Sequence, residues 1–383
     1  MALDRRSFLS RCAGCGLAAA AYSIAPICKL PYSPKEAMAG LPLAKDLSKV
    51  EARYYEKLAV KEIECRICPR RCRVSPLERG YCGSRENIDG VYYTLVHSRP
   101  CSLNVDPIEK KPLFHFLPGT SAFSMATAGC NVNCKFCQNW DISQVRPEQI
   151  DNYELSPSDI VDLAKRFNAP TIAYTYSEPV IFYEYMYDCA TEARKKGIRS
   201  AAITGGYILP EPLKELLTVL DAIKIDLKAF SEGFYKDYVH GELQPVLDAI
   251  KIMYDRNMWI ELVYLVIPTL NDNPEEIKRM CDWIKSDLSP AVPVHFTRFH
   301  PTYLMKNLPP TPVSTLERIH DTAKAQGLDY VYIGNVPGHD AEHTYCPRCN
   351  EAIIRRYGYR IGEVNIRDSK CAFCGNKIPG VWI

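Results

Sequence analysis

The chain has 383 residues, enough for two or three domains and a sizeable core. Its 47 Lys and Arg against 45 Asp and Glu leave a formal charge of +2, which provides no overall attraction to nucleic acid or an anionic membrane. With 47% hydrophobic and 24% charged residues the chain is neither disordered nor a multi-span membrane protein; its 17 cysteines exceed what packing needs, yet are too dilute for a small disulfide scaffold.

Arg5 and Arg6, then Ser7-Phe8-Leu9 and an uncharged alanine-rich run from Cys12 to Cys28, form a twin-arginine pattern. The run is shorter than the ~20 apolar residues of a membrane span, so no transmembrane segment is expected. Ala37-Met38-Ala39 offers a cleavage site, and residues 1–39 read as a leader, with an uncleaved amphipathic helix as the alternative. Residues 40–97 read as a linker helix over about 40–64 followed by a four-cysteine module. Residues 98–337 read as an α/β core and 338–383 as a second cysteine module.

Within that core, β-rich runs at 122–127, 171–176, 200–204, 222–227, 259–267, 293–299 and 329–333 alternate with amphipathic helices. Ser156-Pro157-Ser158-Asp159 supplies an N-cap, a proline at the first helical position and an acid at the third; Asn273-Pro274-Glu275-Glu276 repeats the device. Ser314 with Glu317 predicts a further helix start, closed at Gly327. This alternation predicts a parallel sheet, open or closed like a TIM barrel, with functional residues at the carboxyl ends of its strands.

The cysteines fall into three groups. Cys130, Cys134 and Cys137, in CxxxCxxC spacing, follow the first core strand. Three thiolates hold three irons of a [4Fe–4S] cluster and leave the fourth iron open, whereas a zinc knuckle would need a fourth ligand that the neighbourhood lacks. Cys346, Cys349, Cys371 and Cys374 form two CxxC knuckles, as in a zinc ribbon, with rubredoxin-type iron or a redox pair as alternatives. Asn350 and Gly375 follow the knuckles, where the turns call for positive φ. Cys65, Cys68, Cys72 and Cys82 also offer four thiolates, suited either to zinc or to an auxiliary [4Fe–4S] cluster. Cys189 and Cys281 lie in predicted helices and read as core residues.

The central group resembles the CxxxCxΦC signature of the radical S-adenosylmethionine (SAM) superfamily, with Phe136 in the aromatic slot. The resemblance implies a partial (β/α)6 TIM-like barrel. It also implies a reduced cluster whose open iron binds SAM and cleaves it to methionine and a 5′-deoxyadenosyl radical, and a low-potential electron donor. Tyr176-Ser177-Glu178-Pro179 resembles the family's GGE motif, which makes Glu178 a SAM ligand by implication. Asp226-Leu227-Lys228 is similar to the DLK of glycyl-radical activating enzymes such as pyruvate formate-lyase activating enzyme, and His300 to a histidine beside SAM in them. Thr204-Gly205-Gly206 stands where Asn-Gly is more usual, and Val263 where some activating enzymes carry Arg.

A further resemblance rests on Pro107 to Phe116, Gly129-Cys130-Asn131, Cys137-Gln138-Asn139-Trp140, Ala173-Tyr174-Thr175-Tyr176 and Val331 to Asn335. It is to the radical SAM enzyme of the AmmeMemoRadiSam system, and implies a Memo-family companion protein. Lys110, Lys111 and His115 lie in this stretch and could face a substrate, but a Lys-Lys pair is more often a solvated face, so they are not counted among the catalytic residues. Export through a twin-arginine leader would place the protein in the periplasm, whereas SAM and low-potential electrons favour the cytoplasm.

Overall fold

The computed structural model describes residues 40–382; the leader expected over 1–39 lies outside them. Two small antiparallel sheets come first. One joins β1 (Val50–Glu51), β5 (Arg85–Ile88) and β6 (Val91–Thr94), the other β2 (Tyr55–Lys57), β3 (Ile63–Cys65) and β4 (Arg73–Val74). The linker helix expected over 40–64 does not form. Burial there alternates with period two, Ile63 and Cys65 inside and Glu64 half-exposed between them, which is a strand's pattern. Left-handed backbone at Tyr54, Val60 and Lys61 (φ 54°, 56° and 60°) would also interrupt any helix.

The central sheet has eight strands: β7 (Ser102–Pro107), β8 (Ser121–Ala126), β9 (Thr171–Tyr174), β10 (Arg199–Thr204), β11 (Ala222–Asp226), β12 (Trp259–Val266), β13 (Val294–Arg298) and β14 (Val331–Gly334). They lie in sequence order, with β7 and β14 at the edges. From β8 to β14 every pairing is parallel, and only β7 runs antiparallel, against β8. All seven predicted core strands are present within a few residues of their expected ends. The antiparallel edge strand β7 was not expected, because Asn104 and Asp106 dilute its apolar pattern.

Main helices are α1 (Trp140–Ser143), α2 (Pro157–Arg166), α3 (Tyr183–Lys195), α4 (Pro210–Leu216), α5 (Gln244–Asp255), α6 (Pro274–Asp287) and α7 (Val313–Ala325). Parallel strands in sequence order joined by right-handed crossovers place all connecting helices on one face. The Ser156 hydroxyl accepts from the Asp159 N–H at 3.3 Å, and the Asp159 carboxylate accepts from the Ser156 N–H at 2.8 Å, the reciprocal box expected at α2. Asn273 caps α6 from one side only, its Oδ1 accepting from the Glu275 N–H at 2.8 Å. At α7 the cap is Pro312 rather than Ser314, because the helix starts at Val313 and takes Ser314 into its first turn. Gly327, at φ 92°, follows that helix as expected.

Among the described residues no helix is long and apolar enough to cross a membrane. Cys189 and Cys281 are buried core residues.

A polar cluster is enclosed where the core meets the C-terminal segment. Glu261 of β12 accepts from the Phe114 and His115 N–H groups at 2.9 and 2.8 Å and from the His295 ring at 2.8 Å. His115 is fully buried, so it faces no solvent-accessible substrate site. Its Nδ1 lies 2.8 Å from the Pro379 carbonyl, which only accepts, so that nitrogen carries the proton and Nε2 accepts from the Tyr332 hydroxyl at 2.6 Å. Burial pushes the His115 pKa down to about 4, against a partial counterpull from Glu261. Above about pH 6.5 the ring is neutral whether the chain is folded or unfolded. Between about pH 6.5 and 4 the unfolded chain binds a proton that the folded chain refuses, so this group costs stability as pH falls, by up to about 3 kcal/mol. Denaturant titrations across that window should show a shallower decline for His115→Gln than for the parent; identical slopes would exclude His115 as a source.

Candidate active site

Residues at the carboxyl ends of successive parallel strands form the candidate site. Beyond β8 the chain enters the cysteine loop, which backbone hydrogen bonds hold from several sides. Gly129 N–H donates to Ile142 (3.0 Å), Asn133 N–H to Val239 (3.1 Å) and Lys135 N–H to Tyr238 (2.9 Å), while the Lys135 carbonyl accepts from Leu304 N–H at 3.0 Å. Cys134 is buried, and Cys130 and Cys137 are half-buried. Burial pushes the metal-free Cys134 thiol up to about 12, so that it would release a proton on binding a metal. The Cys137 sulfur lies 3.3 Å from the Ser143 hydroxyl. Phe136 is buried against Phe234, with ring centroids 5.8 Å apart.

Glu178 lies beyond β9 at the start of a short 3-10 turn, where Pro179 takes the first helical position. Its buried carboxylate accepts from the Thr204 hydroxyl, from Gly205 N–H at 2.8 Å and from Val180 N–H at 3.2 Å. Burial raises its pKa, and these donors oppose the shift. Asp226 ends β11, paired with buried Lys224 and 3.6 Å from the Lys228 ammonium. Burial works against the charge on Lys228, but Asp226 and the Cys134 and Cys137 thiols outweigh it and raise its pKa. The Lys228 ammonium is 6.0 Å from the Phe136 ring centre. A methyl group added at Gly205 would lie 3.3 Å from Glu178 Oε2 and 3.7 Å from Lys228 Cε, so those two side chains flank one glycine.

The structure therefore brings together Cys134, Cys137, Phe136, Glu178, Asp226 and Lys228. It does not tie His300, exposed beyond β13, to them. Lys111 is buried on Asp106, 2.6 Å away, and lies 4.3 Å from the Tyr176 ring centre, so it serves an internal ion pair. Burial pushes the Lys111 pKa down to about 8 although Asp106 opposes that shift. Lys110 reaches the same carboxylate at 2.8 Å. Thr204 and Gly205, which hold Glu178, stand in the sequence only as a departure from the more usual Asn-Gly, with nothing to announce that they hold Glu178.

Elsewhere, the Cys346–Cys374 and Cys349–Cys371 sulfurs approach to 3.6 and 3.7 Å. The four sulfurs lie within 4.8 Å of one another, a set fit to hold a metal ion. Asn350 (φ 58°) and Gly375 (φ 73°) take the expected left-handed turns.

The donor set can be tested against a cluster and its ligand. Three thiols beside a buried cation, with no fourth protein ligand in their loop, fit a [4Fe–4S] cluster that keeps one iron open. Thr127 Oγ1, Asn131 Oδ1 and Asn133 Oδ1 are buried around that loop without a hydrogen-bond partner among the described residues, whereas buried polar groups are ordinarily paired.

Residues 125–284 match the family profile of the radical SAM superfamily. An uncharacterized protein of Methanocaldococcus jannaschii is 46% identical over 330 residues, 86% of this chain and 98% of that protein. Pyruvate formate-lyase 1-activating enzyme of Escherichia coli is 21% identical over 214 residues, 52% of this chain and 87% of the enzyme. Among solved structures, a radical SAM methyltransferase from Sphaerobacter thermophilus aligns at 16% identity with a TM-score of 0.47, covering 57% of this chain and 67% of that one. The chain belongs to the radical SAM superfamily. It is an enzyme with the α/β fold of that superfamily, a mostly parallel central sheet and a cysteine cluster near the C-terminus, and it is similar to pyruvate formate-lyase activating enzymes.

Proposed function

We propose that this enzyme reductively cleaves SAM at a [4Fe–4S] cluster held by Cys130, Cys134 and Cys137, generating a radical that acts on a substrate of the AmmeMemoRadiSam system. The observation that carries the reading is the placement of Lys228, which neighbours the Cys134 and Cys137 thiols while pairing with Asp226 and flanking Gly205 with Glu178. A reduced cluster held by these three cysteines would supply one electron for cleavage of the SAM sulfonium. Phe136 shields that region from water. The Glu178 carboxylate receives the SAM amino group, and Asp226, Lys228 and His300 position the remainder. Lys224 and Lys228 keep Asp226 ionised, since their attraction outweighs burial and lowers its pKa.

Around this site we place a partial TIM-like barrel over 98–337 and a zinc ribbon over 338–383, its ion held by Cys346, Cys349, Cys371 and Cys374. The partners are a low-potential electron donor and a Memo-family protein, in the cytoplasm if the twin-arginine leader does not direct export. A second reading, activation of a glycyl-radical enzyme, draws on the similarity to the Escherichia coli activating enzyme and on Asp226-Leu227-Lys228.

Anaerobically reconstituted, reduced protein is expected to release 5′-deoxyadenosine from SAM; none above a protein-free control would overturn the proposal. Glu178→Ala should keep the cluster and weaken SAM binding by about 1.5–3 kcal/mol, roughly ten- to hundredfold. Equilibrium binding checks this, and an unchanged Kd would remove Glu178 from the SAM site.

A further inference from the structure

We propose that Cys65, Cys68, Cys72 and Cys82 hold a second [4Fe–4S] cluster, set against the loop of Cys130 so that it passes single electrons to the catalytic cluster. The binding site stands on its own geometry; the electron-relay role rests on the SAM reading above.

Size separates this site from a zinc site. Zinc–sulfur bonds of about 2.3 Å draw four tetrahedral sulfurs to within roughly 3.8 Å of one another. The C-terminal sulfurs stand at that spacing, at 3.6 and 3.7 Å, and among the described residues theirs is the one set of three or more ligand groups gathered within 4.8 Å. Cys65, Cys68, Cys72 and Cys82 instead all face one hollow without being drawn together to that spacing. A cube of irons and sulfides holds its four thiolates further apart than a single ion does.

The walls suit an anionic cluster. Arg85, fully buried and ion-paired with Glu184, lines the hollow and is also an electrostatic neighbour of both Cys65 and Cys82. The Tyr81 N–H donates to the Cys72 sulfur at 3.4 Å. Buried cations and N–H donors to sulfur are the groups that set a cluster's potential.

The hollow also adjoins the catalytic loop. Asn131, next to Cys130, lines it, and the Arg70 guanidinium donates to the Asn131 carbonyl. At Gly129, φ is 105° and an added Cβ would fall 2.5 Å from the Cys82 carbonyl, so the backbones of the two cysteine segments touch at a point that only glycine permits. Tyr81 has Cys72, Cys130 and Cys134 as electrostatic neighbours, and Arg70 stacks on its ring with its guanidinium carbon 3.5 Å from the centroid. Cys82 and Cys130 line one common open cleft. An external low-potential one-electron donor is oxidised by one electron, the second cluster is reduced by that electron and then reoxidised as the catalytic cluster is reduced. No bond or proton changes hands.

The full chain carrying Cys130→Ala, Cys134→Ala and Cys137→Ala, reconstituted anaerobically with iron and sulfide, tests the site. About four irons should remain, with an electron paramagnetic resonance signal after dithionite reduction and one zinc at the C-terminal group. Two zincs and no iron would overturn the proposal. The parent provides a second measurement that does not depend on the triple variant folding: about eight irons are expected, against about four for a single-cluster protein. In the doubly reduced parent, spin coupling should broaden or split the resonance, and a simple sum of two isolated signals would overturn the relay. If the SAM reading fails instead, 5′-deoxyadenosine is absent while the iron of the second site persists.

Discussion

Cys134→Ala is expected to remove both the catalytic cluster and SAM cleavage. Cys134 is the middle thiol of three and is buried, and the two remaining thiols, half-exposed at Cys130 and Cys137, would leave two irons without protein ligands. Lys228 would lose its Cys134 neighbour, and its charge would then be balanced mainly by Asp226. The measurements are the iron content assigned to this site, and 5′-deoxyadenosine formation, which should fall to the level of a protein-free control. A variant that still cleaved SAM at the parent rate would place the chemistry elsewhere.

The second large effect is on stability. Arg85 forks onto Glu184 at 2.9 and 2.6 Å, and the two side chains are only 2% and 4% exposed, tying β5 to α3. Arg85→Met should destabilise the protein by about 3–5 kcal/mol, because Glu184 would stay buried with its charge uncompensated. That is a large part of the roughly 5–15 kcal/mol that holds a domain folded. Replacing both, Arg85→Met with Glu184→Leu, should recover much of the loss, since the penalty lies in the orphaned charge rather than the missing attraction. Denaturant midpoints of the two variants decide the matter: equal destabilisation would mean that packing around Arg85, not its charge, holds the elements together.

Much of this was legible in the sequence because the signals are local. Seven strands could be read from short β-rich runs, and helix starts from Ser156, Asn273 and their following prolines. The three cysteine groups were visible from spacing alone. Local reading failed where the determinant is distant. Arg85 and Glu184 are 99 positions apart, and nothing near either announces the partner. Residues 40–64 mixed charged and apolar residues in a way that fits a helix surface, while the actual constraint is pairing of β2 with β3 and of β1 with β6. His115 sat in a stretch of functional appearance, yet Pro379 and Tyr332, more than 200 residues later, enclose it. Distant parts of the chain likewise converge on Glu178, through Thr204 and Gly205.

The C-terminal cysteine cluster has a consequence for handling the protein. Cys346 and Cys371 share one apolar cluster with Tyr330, Tyr332, Ile353 and Ile378, so two of the four sulfurs are part of the packing against the edge strand β14. Were that group to hold an ion, removing it would loosen the packing against β14, an edge strand, and such edges recruit strands from other molecules. The damage from a chelator would then appear first as turbidity and poor recovery, at the end of the sheet away from the chemistry, and a preparation could be misjudged as catalytically dead when it has merely precipitated.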